Sequence, residues 1–195
     1  MAEPGAVVIG SDGRARCPWG ANQPDYAEYH DSEWGVPLRG EAALFERITL
    51  EAFQSGLAWL TILRKREAFR RAFAEFDPRR VAEFGPDDRQ RLLADAGIVR
   101  NRAKIDAAIR NAGAVLELDR PLDELLWSFA PQDSRARPKK SDDVPAITPE
   151  SKAMAKELKR RGFVFVGPTT CYALMQATGM VDDHLAGCWR ATAPE

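Results

Sequence analysis

The chain has 195 residues, 45% hydrophobic and 29% charged, with a formal net charge of −1. That length buries a substantial core in one domain or in two lobes, and the composition excludes a disordered tail. Its apolar runs are far too short to cross about 30 Å of hydrocarbon, and its near-neutral charge confines any nucleic-acid face to a local patch.

Residues 1–15 lack the basic start and long apolar core of a secretion signal, and they read as a disordered leader in a cytoplasmic protein. Three cysteines in a chain without such a signal argue against a disulfide framework, leaving metal ligation or burial.

Leu44, Phe45, Ile48 and Ala52 recur at helical spacing until Gly56 interrupts them. Trp59, Ile62, Leu63, Phe69, Phe73 and Phe76 predict a second helix bounded by Pro78. Short helical patterns at 81–84 and 88–96 lead to a turn at Gly97, after which 100–116 resumes helical spacing: helix, tight turn, helix. Pro121 opens a helix carrying Leu122, Leu125, Leu126 and Phe129.

Residues 131–147, with three prolines among polar residues, read as a mobile surface connection and a lobe boundary. Thr148 before Pro149 starts a helix that Gly162 stops, and another fits 169–178 before Gly179. Residues 163–166 are the one strand-like run, so the class is all-α. The domain spans 16–190, and 191–195 form a tail.

Cys17 and His30 are separated by twelve residues and His184 and Cys188 by three, a spacing that puts the second pair on one helical face. Together they make a Cys2His2 set suited to a closed, structural zinc rather than a water-activating one. Spacing leaves a second reading open, that all four are unrelated buried residues. Cys171 has no ligand at such spacing and reads as core. A zinc deaminase is excluded, because neither its His-x-Glu nor its Pro-Cys-x-x-Cys element is present.

Trp19, Tyr29 and Trp34 cluster around these ligands on weakly periodic chain, either as pocket lining or as a packed arm. Glu51 falls near the apolar side of its helix and Trp59 opens the next. A half-buried carboxylate beside aromatics suits a cationic ligand, although most glutamates simply face water.

The run Tyr29-His30-Asp31-Ser32-Glu33-Trp34-Gly35-Val36-Pro37 resembles the signature of the bacterial 3-methyladenine DNA glycosylase I family. The likeness continues through Gly56-Leu57-Ala58-Trp59, Asp95-Ala96-Gly97-Ile98-Val99-Arg100, Leu126-Trp127-Ser128-Phe129, 159–167 and 181–188, covering roughly residues 15–190.

The resemblance implies a helix-hairpin-helix glycosylase fold, with a base pocket between two helical lobes. It also implies a structural zinc on Cys17, His30, His184 and Cys188 that joins the termini. The turn at Gly97 becomes the hairpin that grips double-stranded DNA through backbone N–H groups. Arg100, Arg102 and Lys104 follow it, and Arg64, Lys65 and Arg66 form a second basic cluster; either set equally suits a solvated helix face.

By the same resemblance Glu51 accepts hydrogen bonds from the flipped base, while Trp19, Tyr29 and Trp59 stack on it. Leu57, beside Gly56, is the candidate wedge for the vacated space. The implied activity is monofunctional release of 3-methyladenine from alkylated DNA by a monomer. The subfamily resembled lacks the aspartate that many relatives carry after the hairpin, so Asp119 and Asp123 are not nominated. Two other classes remain: a catalytically silent alkylation-damage binder, which the presence of Glu51 counts against, and a zinc-stabilised helical interaction protein. The latter has no reason to carry Trp19, Tyr29, Glu51 and Trp59 together.

Overall fold

The computed structural model describes residues 5–133 and 136–192. Chain contacts divide it into two compact units: 1–37 with 131–146 and 175–195, and 38–130 with 147–174. Of the expected leader and tail, residues 1–4 and 193–195 lie outside the described residues.

The smaller unit begins with an antiparallel ribbon, β1 (Val8–Ile9) against β2 (Ala15–Arg16), in the register Val8 to Arg16 and Ile9 to Ala15. This corrects the reading of 5–15 as disordered. The turn is carried by Gly13, at φ 79°, with the Gly10 amide donating to the Arg14 carbonyl at 2.9 Å. Arg16 locks it by donating to both oxygens of Asp12, at 2.8 and 2.6 Å. Asp12-Gly13 is a hairpin turn signal, but strands of two residues are too short to show alternation.

A 3-10 turn at Pro18–Gly20 and α1 (Pro24–Ser32) follow. The 131–147 connection, outside 134–135, is tied down rather than free. Ser141–Asp143 form a 3-10 turn, the Ser141 amide donates to the Gly5 carbonyl and the Ala186 amide to that of Pro138.

The larger unit holds α2 (Glu41–Gln54), α3 (Trp59–Ala72), α4 (Pro78–Ala82), α5 (Pro86–Ala94), α6 (Arg102–Leu116), α7 (Leu122–Trp127) and α8 (Pro149–Arg160). It also holds α9 (Pro168–Ala177) up to residue 174. The apolar stripe of α2 is fully buried, as its spacing requires. Thr148 caps α8 by accepting from the Ser151 amide at 3.2 Å, and Gly162 ends it at φ 91°.

Two expectations fail here for tertiary reasons. The helix predicted through Phe76 stops at Ala72, because Ala74, Glu75 and Phe76 take left-handed φ of 52°, 56° and 55°. That reversal stacks Phe76 on Phe73, ring centroids 5.6 Å apart and nearly parallel, and sets it edge-on to Phe45 at 6.2 Å. Residues 163–166 form no strand. Buried Asn111 on α6 binds both backbone groups of Val164, at 3.0 and 2.8 Å, taking the bonds a strand partner would make. Helices dominate otherwise. The last helix is α10 (Trp189–Thr192), in the smaller unit.

Candidate functional site

In the smaller unit, Cys17 directly follows β2 and His30 lies on α1. Cys17 Sγ, His30 Nε2 and Cys188 Sγ are all buried, with ligand atoms within 4.8 Å of one another. The Cys188 sulfur is 3.5 Å from His30 Nε2, and the Leu185 amide donates to the Cys17 sulfur at 3.5 Å. A hydrogen bond from the Cys17 thiol, first of all, brings the Cys188 thiol down. The Cys17 thiol is pushed up, because its proton is shared with Cys188 and burial disfavours a second thiolate.

Both imidazoles are oriented from behind. His30 Nδ1 meets Asp31 Oδ1 at 2.8 Å, and Asp31 is held in turn by Arg16 and by the Trp189 indole. His184 Nδ1 meets Asp182 Oδ1 at 2.9 Å. A carboxylate on Nδ1 leaves Nε2 for a metal, the arrangement of zinc-binding histidines.

His184 Nε2 is buried with no hydrogen-bond partner among the described residues, and its ring lies 4.9 Å from that of His30. It is not within the mutual spacing of the other three, yet an orphaned buried imidazole nitrogen on a ring 4.9 Å from that of His30 completes the two-thiol, two-imidazole donor set that zinc takes. The residues present therefore fit the ion. One expectation is corrected: residues 182–188 are not helical, and the chain reaches Cys188 through a turn closed by its amide on the Leu185 carbonyl at 2.7 Å.

Two glycines make room for these rings. A Cβ at Gly20 would lie 2.8 Å from the His30 ring, and one at Gly35, where φ is 77°, would lie 2.8 Å from His184 Cε1. Around them Trp19 contacts Tyr26, Tyr29, His30 and Trp34 at centroid distances of 5.8, 6.2, 5.2 and 5.0 Å. Trp19 and Tyr29 are thus brought together beside His30, Trp19 half-exposed and Tyr29 buried.

In the larger unit, Glu51 lies on α2 only 5% exposed. Burial pushes its carboxyl up to about 7, against the opposing pull of Arg47 one turn earlier. The Arg47 guanidinium carbon is 5.7 Å from the centroid of the half-buried Trp59, the first residue of α3. Arg47 escaped the sequence reading, although a cation among Leu44, Phe45 and Ile48 on an apolar stripe is itself a signal.

Between α2 and α3, Gly56 takes φ 80° and Leu57 is 38% exposed. Gly97 sits in the turn between α5 and α6, its amide donating to Asp95 Oδ1 at 2.7 Å. A Cβ there would come within 3.0 Å of the Ala68 methyl. Arg100 and Arg102 are exposed beyond the turn. Lys104 is not, and Lys65 is half-buried; both bind backbone carbonyls instead of standing free as basic face residues. Asp119 pairs with Arg161, and Asp123 with Arg39 and the Gly40 amide. Cys171 is buried, and burial raises its thiol to about 12.

Solved DNA glycosylases share this helical architecture. A crystal structure of 3-methyladenine DNA glycosylase I superposes with a TM-score of 0.86 at 46% identity, covering 89% of this chain and 98% of that one. The Staphylococcus aureus enzyme, solved to show how it recognises 3-methyladenine, superposes at 0.85 and 34% identity, covering 92% and 97%.

Among sequences, DNA-3-methyladenine glycosylase 1 of Escherichia coli K12 is 47% identical over 179 residues, 89% of this chain and 95% of that protein. The Haemophilus influenzae DNA-3-methyladenine glycosylase is 44% identical over 181 residues, 89% and 96%. The methyladenine glycosylase family model matches residues 19–191, and the chain belongs to that family. Among the described residues no helix is long and apolar enough to cross a membrane.

Proposed function

We propose that this chain excises 3-methyladenine from alkylated DNA as a monofunctional base-excision repair glycosylase. The base already carries positive charge. When the bond from its N9 to the sugar C1′ breaks, the electron pair moves onto the base and neutralises it, and water adds at C1′ and gives up a proton. Free 3-methyladenine and an abasic site result. No leaving-group acid is needed, so the protein's task is to expose and hold the base.

Glu51 carries this reading: a carboxylate withdrawn from water, one turn from Arg47 and on the helix before Trp59, is suited to accept N–H bonds from a cationic purine. Trp59 supplies an aromatic face that favours a cation over neutral adenine. Leu57, projecting from its turn, fills the space the base leaves. The Gly97 turn and exposed Arg100 and Arg102 hold phosphates through backbone N–H groups and guanidinium donors.

Cys17, His30, His184 and Cys188 hold one zinc. Four protein donors leave it no open position, so it stabilises the fold and activates no water. Support comes from the buried three-residue cluster and the orphaned His184 Nε2.

The test is chromatographic detection of free 3-methyladenine released from methylated duplex DNA. Release by the wild type and its loss in Glu51→Ala are expected. Tight binding of methylated DNA without release would replace the enzyme with a damage-binding protein.

A further inference from the structure

The turn that carries Leu57 is a type II β-turn, and its geometry is held from outside. Ser55 has φ −48° and ψ 116°, Gly56 follows at φ 80°, and the Leu57 amide donates to the Gln54 carbonyl at 2.7 Å. The Gln54 side chain closes the same turn by donating to the Leu57 carbonyl at 2.8 Å. A type II turn differs from type I by a flip of its central peptide, here the one joining Ser55 to Gly56. Glycine at the third position tolerates either form, so it does not by itself hold the flip.

Lys104 holds it. Its ammonium donates to the Ser55 carbonyl, the oxygen whose direction defines the flip, at 2.6 Å and to the Phe53 carbonyl at 2.8 Å. Lys104 is buried, burial lowers its pKa, and its ammonium meets only carbonyl oxygens among the described residues. Burying a cation without a counter-anion is costly, so it is a poor choice for a cap alone.

A second lysine runs the opposite way. Lys65, on α3 just after the Leu57 turn, donates to the carbonyls of Ala96 and Gly97 in the hairpin turn, at 2.8 and 3.3 Å. Lys104 itself stands just after the hairpin, on α6, with its amide capped by Asn101 at 3.1 Å. Each loop is therefore held by a lysine from the helix that follows the other.

We propose that Lys104 and Lys65 form a reciprocal clasp between the hairpin turn and the Leu57 turn, and that Lys104 is a positioning residue keeping Leu57 in the type II geometry needed to enter duplex DNA. The inference rests on the reading of Leu57 as the wedge. DNA held by the hairpin then meets Leu57 at a set distance and angle, without a search by a flexible loop.

The experiment compares wild type, Lys104→Met, Lys65→Met, Leu57→Ala and Lys104→Met/Leu57→Ala for single-turnover release of 3-methyladenine from methylated DNA, annealed or single-stranded, with melting temperatures recorded. Lys104→Met should lower the duplex rate by about tenfold or more, as misplaced groups do. It should leave the single-strand rate within about twofold, since a structural defect would lower both.

Adding Lys104→Met to Leu57→Ala should cost almost nothing further, because both act at one step. Equal loss on both substrates, or multiplied losses in the double variant, would overturn the clasp. Should Lys104→Met fail to fold, Lys65→Met decides by the same duplex-to-single-strand ratio. Wild type without activity refutes the glycosylase reading itself, whereas active wild type with an unaffected Leu57→Ala refutes wedge and clasp together.

Discussion

Arg47 precedes Glu51 by one turn of α2 and places its guanidinium carbon 5.7 Å from the centre of the Trp59 ring. A buried cation thus sits beside the carboxylate assigned to hold a cationic base. Its field opposes the desolvation that raises the Glu51 carboxyl to about 7. Arg47 therefore favours the ionised form of Glu51 against burial.

If the ionised form accepts the base's hydrogen bonds, single-turnover release should climb as pH rises through about 7 and level off above it. Glu51→Gln should show a low, flat profile over the same range. A wild-type profile without an inflection between pH 6 and pH 8, on the order of one unit either side of that value, would detach catalysis from this carboxyl.

The same group writes itself into stability. Its folded pKa, about 7, lies above the ordinary 4.5, so its contribution is fully present below 4.5 and is lost as pH rises through 7. Glu51→Gln has no such loss. Relative to wild type it should gain about 3 kcal/mol between pH 4 and pH 8, taking about 1.4 kcal/mol per pH unit. Urea unfolding of both proteins at the two pH values measures this difference.

Arg47→Met removes the charge and keeps most of the volume. The midpoint of the activity profile should then move upward by roughly one pH unit, because burial acts without its counter-charge. A downward move would show that Arg47 does not act on Glu51 electrostatically.

One zinc per chain is expected by elemental analysis. Stripping it with a strong chelator should lower Tm by about 10 °C or more, since metal binding energy is folding energy at a closed site. Cys188→Ser should reproduce the loss. Full-strength folding with no bound metal would leave the four residues as a packed cluster only.

Gly35→Ala should destabilise by about 1–3 kcal/mol and reduce zinc content, since the new methyl meets the His184 ring from a left-handed backbone. Gly13→Ala is the control. Its φ is 79°, but nothing lies within 4 Å of its Cβ, so it should bear only the backbone cost of roughly 1 kcal/mol and keep its zinc. Chemical denaturation and metal analysis of both variants separate the two.

Local chemistry made much of this protein legible in order along the chain. The α2 stripe, the Thr148-Pro149 start, the Gly162 stop and the helix–turn–helix around Gly97 follow from periodicity and capping, which act over a few residues. Ligand spacing put Cys17, His30, His184 and Cys188 forward as one of two readings, and the long motif run marked the family.

What waited for tertiary structure depends on contacts between distant segments. The break of α3 at Ala72 exists because Phe76 has somewhere better to pack than along its own helix. The ribbon at 8–16 is held through Arg16 by Asp31, far off in sequence. Arg47 emerged as a buried neighbour of Glu51, and Lys65 and Lys104 as donors to turn carbonyls rather than surface cations, only once burial and partners were in view. A sequence states which groups a chain carries and their local rhythm; whether a charge meets water, a ring or a carbonyl is decided by which segments pack against it.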